Sequence, residues 1–153
     1  MKRAICRTLP VAVLLAAAST VRAAPTCSFA VGNALVFGAY SPFAVGHTDS
    51  VSTLLYRCPP GQSVRISLDR GLTGTFAARE LRQGAEVLLY NLFLDAARTV
   101  VWGDGTGGSS TGPGTARPGA GGTTTAYVFG RVPSGQDAVA GAFADTIRVT
   151  FEL

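Results

Sequence analysis

Residues 146–153 alternate without a break: Ile147, Val149, Phe151 and Leu153 are apolar, and Thr146, Arg148, Thr150 and Glu152 between them are polar. A period of two is the signature of a β-strand with one face on a core and the other in water. Such a strand needs an apolar layer beneath it and a backbone partner on each edge. The run ends with Leu153, so the cover for its far edge is expected from earlier in the chain or from another molecule. The same alternation places Val64, Ile66 and Leu68 opposite Ser63, Arg65, Ser67 and Asp69. Apolar residues at helical spacing are nearly absent, so the expected class is all-β.

Other segments fit that class. Residues 51–58 read as a strand joined to 63–69 by a turn at Pro59, Pro60 and Gly61, which together suggest a hairpin. Residues 87–94 are apolar on both faces except at Asn91, as expected either of a strand covered on each side or of the central strand of a sandwich. Shorter strands are expected at 35–37, 100–102 and 127–131. Residues 103–125 form a 23-residue stretch with nine glycines and two prolines. That is too little apolar surface to offset its ordering entropy, and a flexible exposed loop is expected there.

The chain of 153 residues suits one domain. Residues 1–23 have the layout of a secretory signal: Lys2, Arg3 and Arg7, then an apolar stretch over 9–18, then small residues. Cleavage is expected after Ala23, which leaves 24–153 as the mature domain. A membrane anchor is the competing reading, but a span needs roughly 20 apolar residues and this run is about half as long. Export through the Sec route is expected.

Losing Lys2, Arg3, Arg7 and Arg22 reduces thirteen basic residues to nine, all arginine, against nine acidic ones. The mature domain is formally neutral and has no basic cluster, which argues against nucleic acid and against anionic membrane surfaces as partners. Cys6 leaves with the signal, and Cys27 and Cys58 remain. Two cysteines in an oxidising compartment are expected to form one disulfide. A redox or metal pair is the alternative, disfavoured by their separation, the lack of a CxxC and the single histidine.

Residues with catalytic potential are sparse. His47 is the only histidine, and no serine or cysteine sits in a nucleophile motif such as GxSxG. His47 falls in the loop-like stretch 41–50, where a solvated or structural role is expected. Asp104 in Trp102-Gly103-Asp104-Gly105 is followed by Thr, Gly and Ser rather than the alternating oxygen ligands of a calcium loop. The glycines after it form no phosphate cradle, because no lysine follows them. Glu80, Glu86, Asp95 and Asp137 read as solvated charge rather than as a glycosidase pair. The expectation is a protein that is not an enzyme and holds no cofactor or metal.

From Cys27 onward the chain resembles the spore coat protein U domain family, which includes subunits of archaic chaperone–usher pili. The resemblance rests on Phe37-Gly38-Ala39-Tyr40-Ser41-Pro42, on Cys58 ahead of Val64-Arg65-Ile66-Ser67-Leu68 and Gly71, and on Arg79 before Leu88-Leu89-Tyr90-Asn91-Leu92-Phe93. It continues through Val101-Trp102-Gly103-Asp104-Gly105, Pro133-Ser134-Gly135-Gln136, Gly141 and Asp145-Thr146-Ile147-Arg148-Val149-Thr150-Phe151. The resemblance implies an immunoglobulin-like β-sandwich lacking one strand, with its cysteines bridged between early strands. It also implies a periplasmic chaperone, an outer-membrane usher and neighbouring pilus subunits as partners, the missing strand being lent by a neighbour. On that reading Ile147, Val149 and Phe151 line or border the acceptor groove, and Leu153 ends the strand a chaperone would engage; the competing reading is an ordinary closed core.

Polymerising members carry a donor segment ahead of the first cysteine. Here only Ala24, Pro25 and Thr26 would lie between the expected cleavage point and Cys27, too few for a donor strand. A tip or minor subunit is therefore expected. The alternatives are a secreted coat or matrix protein, or a single-domain adhesin, of the same fold.

Overall fold

In a computed structural model the described residues are 27–112 and 122–153. They contain seven β-strands and no helix: β1 (Ser28–Asn33), β2 (Thr48–Arg57), β3 (Arg65–Leu68), β4 (Arg79–Gln83), β5 (Glu86–Phe93), β6 (Thr124–Val132) and β7 (Val149–Glu152). All pairings are antiparallel. The order β1-β2-β6-β5-β4 makes a five-stranded sheet, and β3 pairs with β7 in a second sheet of two strands. The expected signal, 1–23, lies outside the described residues.

The alternating runs become the two inner faces of one core. Leu54 and Tyr56 of β2, Ile66 and Leu68 of β3, Leu88, Tyr90 and Leu92 of β5 and Val128 of β6 are all buried in a single cluster. Burial of these side chains is the main favourable term holding the sheets together. The expected class and the central place of 87–94 are borne out, since β5 lies between β4 and β6.

Several expectations are corrected. Residues 51–58 and 63–69 form no hairpin: β2 pairs with β1 and β6, whereas β3 pairs with β7. The turn at Pro59 and Pro60 carries the chain from one sheet to the other, because both segments bury an apolar face and each needs a sheet opposite it. Residues 35–37 form no strand. Residues 100–102 form only bridges, Val101 with Phe93 and Trp102 with Ser110. The stretch 41–50 is a loop only in part, since β2 starts at Thr48.

The glycine-rich stretch is also not one exposed loop. Gly103, Ser109 and Gly112 are buried, and Thr124 and Thr125 belong to β6; residues 113–121 lie outside the described residues. What orders the first part is Trp102, fully buried, whose indole N–H donates to the Ile66 carbonyl at 2.9 Å. Gly112 and Ile66 exchange backbone hydrogen bonds of 2.7 and 3.3 Å. A side chain at Gly112 would strike the Trp102 ring, so glycine is required there by contact rather than for flexibility.

Cys27 and Cys58 are joined by a disulfide across a sequence separation of 31. The bond ties the start of β1 to the end of β2. On the chain-entropy view a loop of that length contributes roughly 3 to 4 kcal/mol. Replacing both cysteines with serine is expected to lower unfolding free energy by about that amount in a urea titration. Non-reducing mass spectrometry of the mature protein, without Cys6, should show no free thiol, and two free thiols would refute the pairing.

Candidate functional site

The expected site residues lie in the last segment of the chain. Over 143–152, Phe143, Asp145, Ile147, Val149 and Phe151 are half-buried and the residues between them exposed. The alternating row thus extends beyond β7 itself, facing the core throughout. Ala144 exchanges backbone hydrogen bonds with Arg82 of β4 at 2.8 and 3.0 Å. Arg148 accepts from the Asp69 N–H at 3.1 Å and donates its own N–H to the Asp69 carboxylate at 3.0 Å. Successive residues of an extended chain point their backbone groups to opposite edges. The N–H and C=O groups of Asp145 and Ile147 are therefore directed away from β4 and β3. Among the described residues β7 pairs with no strand but β3.

Across from this edge runs a second one. β1 pairs with β2 alone among the described strands, and its continuation over 34–40 makes no backbone-to-backbone hydrogen bond among the described residues. Side chains hold this segment in place. Ser50 donates its hydroxyl to the Val36 carbonyl at 2.6 Å, and Leu35 and Phe37 pack over Gly130 of β6, where a Cβ would clash with both. The Phe37 ring meets Tyr90 edge-on at 5.8 Å.

Between the two edges lies an apolar groove of about 1090 Å³. Its floor includes Leu54, Leu68, Leu88, Leu92 and Val128, contributed by both sheets, and its walls include Val31, Val36, Ile147 and Val149. The core thus reaches the surface in this gap. Val31 is 63% exposed, Val36 71% and Phe43 93%, all along the groove. A contiguous apolar patch of this kind marks an interaction surface.

Of the expected residues, Ile147 and Val149 line the groove. Phe151 lies beyond its end, stacked on Phe29 of β1 with ring centroids 4.0 Å apart. Leu153 is 63% exposed and outside the groove lining. The first wall, Val31 to Phe43, was missed as a site because its apolar residues follow no single period.

One polar pair stands in the groove. The buried Tyr90 hydroxyl donates to the Asp145 carboxylate at 2.7 Å, and burial, then this hydrogen bond, push the Tyr90 pKa above its ordinary value. Asp145 also accepts from the Leu72 N–H at 2.9 Å, which pins the second wall to the 69–72 turn. Gln136 anchors the start of that wall: its side-chain amide exchanges hydrogen bonds with both backbone groups of Leu89, at 2.7 and 2.9 Å. Its backbone N–H donates to the Tyr40 hydroxyl at 2.8 Å, which joins the two walls at that end.

The other residues with catalytic potential are engaged locally. His47 accepts through Nδ1 from the Ser134 N–H at 3.0 Å. Asp104 accepts from the Thr106 hydroxyl and N–H at 2.7 and 2.9 Å, which holds its pKa below the usual carboxylate value. Among the described residues no three metal-ligating side chains cluster, and no helix is long and apolar enough to cross a membrane.

Comparison with known proteins agrees with the fold. The chain is 31% identical to Protein U of Myxococcus xanthus over 136 residues, 80% of this chain and 73% of that protein. Its fold is similar to a chain in the chaperone–tip adhesion subunit pre-assembly complex CsuC–CsuE, from the archaic chaperone–usher Csu pili of Acinetobacter baumannii, with a TM-score of 0.60 at 22% identity. That likeness covers 85% of this chain and 40% of the other. The model of the Spore Coat Protein U domain matches residues 12–150, and the chain belongs to that family.

Proposed function

We propose that the protein is a structural, non-catalytic subunit of an exported surface pilus assembled by the chaperone–usher route, its groove being filled by a β-strand from another protein. The observation that supports this reading is the groove itself, an apolar trough between two chain edges whose backbone groups have no partner strand among the described residues. An inserted strand would satisfy those groups and cover the floor with every second side chain, which is β-strand addition. A periplasmic chaperone would fill the groove first and a neighbouring subunit later, with an outer-membrane usher mediating the exchange. The fold's likeness to a chain of a chaperone–subunit complex is in keeping with this. A tip or minor position is the finer form of the proposal and rests on cleavage after Ala23, which N-terminal sequencing of the exported protein tests.

The test is co-expression in a periplasm with and without an archaic pilus chaperone. A soluble complex is expected with it and rapid degradation or aggregation without it. Ile147→Asp, which puts a charge on the groove wall, should cut recovery of the complex by at least tenfold. A stable, protease-resistant monomer that ignores the chaperone would instead favour a secreted coat or matrix protein.

A further inference from the structure

We infer that the Phe29–Phe151 stack is a register stop, an aromatic rung that shuts one end of the groove and limits how long a strand it accepts. This rests on the strand-addition reading above and specifies which strands fit.

Phe29 and Val31 stand on the same face of β1, opposite Tyr56 and Leu54 of β2, both of which point into the core. Val149 and Phe151 likewise share the inward face of β7. The groove lining includes Val31 on one wall and Val149 on the other, but neither Phe29 nor Phe151. One same-face step outward the two rings meet at 4.0 Å, with their planes 26° apart. The gap is therefore open at the valine level and closed at the next. Valine side chains are too short to span it, whereas two phenylalanines fill it with stacked rings. Just beyond, the Cys27–Cys58 disulfide holds β1 to β2, so the wall carrying Phe29 is anchored and resists being pushed aside. At the opposite end Tyr40 and Gln136 join the walls through their hydrogen bonds. A strand seated between these two closures has a bounded length, and its last inward side chain belongs at the Val31 and Val149 level.

The test uses the exported full chain and synthetic peptides of alternating valine and threonine with lysine at each end, carrying three to seven valines. In the wild type the rise in melting temperature should grow with length and then level off. In Phe29→Ala, and separately in Phe151→Ala, the plateau should move to peptides longer by one valine–threonine step. A second measurement needs no variant: a photoreactive residue is placed one step past the last stabilising valine of a wild-type-length peptide. It should label Phe29 or Phe151, which it abuts, and neither Cys27 nor Cys58 beyond the rung; labelling at those cysteines would overturn the inference. An unmoved plateau in folded variants would also overturn it. If no peptide of any length raises the melting temperature, the strand-addition reading itself fails, and the register stop with it.

Discussion

Arg79→Ala is expected to be among the most destabilising single substitutions in this protein, costing about 3 to 5 kcal/mol. Arg79 has no exposed surface, and among the described residues no carboxylate forms a salt bridge with it. Its guanidinium instead satisfies neutral acceptors: the Asp69 carbonyl at 2.8 and 3.0 Å, the Trp102 carbonyl at 2.7 Å and the Asn91 side chain at 2.6 Å. Burial pulls its pKa down, although a guanidinium remains charged throughout the accessible pH range. Asn91 in turn donates to the Phe76 and Ala77 carbonyls at 2.8 and 3.2 Å. Alanine would leave the Asp69 and Trp102 carbonyls without the guanidinium, leave the Asn91 side-chain oxygen with the Leu92 N–H alone, and open a cavity among them. Arg79→Lys should recover little, because an ammonium cannot reproduce the planar fork that spans three acceptors. Urea denaturation of the chaperone-free or peptide-filled protein measures the effect. A loss below about 1 kcal/mol for alanine would show that water replaces the guanidinium at no great cost.

Trp102→Ala is the second large effect, expected at about 3 to 5 kcal/mol in the same titration. The indole packs against Gly112 and donates to the Ile66 carbonyl, and the Trp102 backbone receives the Arg79 guanidinium on its carbonyl while donating its N–H to the Leu92 carbonyl at 2.9 Å. Losing the ring removes the surface on which Gly112 lies, so the neighbouring backbone bonds between Gly112 and Ile66 should loosen as well. Hydrogen exchange separates the two variants. Trp102→Ala should speed exchange at Ile66 and Gly112, whereas Arg79→Ala should act first on the 69–79 segment. A Trp102→Ala protein with unchanged protection at Ile66, whose N–H donates to the Gly112 carbonyl, would show that the Gly112–Ile66 pairing does not depend on the ring. Trp102→Phe should lose less, keeping most of the packing and giving up the hydrogen bond to Ile66.

Both residues stood in the motifs that carried the family resemblance, yet neither had a structural role assigned from sequence. A buried arginine looks like any other arginine in a string of letters. Its environment depends on Asp69, Asn91 and Trp102, which are brought together only when β4, β5 and the two glycine-rich turns converge. The short-range signals were more legible. The inward residues of β3, and those of the final run up to Phe151, were legible because alternation is a local property of an extended chain, whereas β5 was expected to be apolar on both faces and Leu89 is 40% exposed. The hairpin expected between 51–58 and 63–69 failed because a proline turn also serves to change sheets, and pairing partners depend on distant segments. The loop expected over 103–125 failed in its first part because glycine was counted as disorder, whereas Gly103 and Gly112 make room for Ser109 and for the Trp102 ring.

The sequence by itself determined the all-β class, the inward face of the final strand and the cysteine pair, since each follows from residue type and spacing along one stretch of chain. Tertiary structure decided which strands pair, that 31–43 forms the wall facing 138–149, and that Phe29 meets Phe151 at the groove's end. Most of those relations join segments far apart in the chain, as Phe29 and Phe151 are. Their geometry is set by how the whole set of strands packs around one core, and no local pattern encodes it.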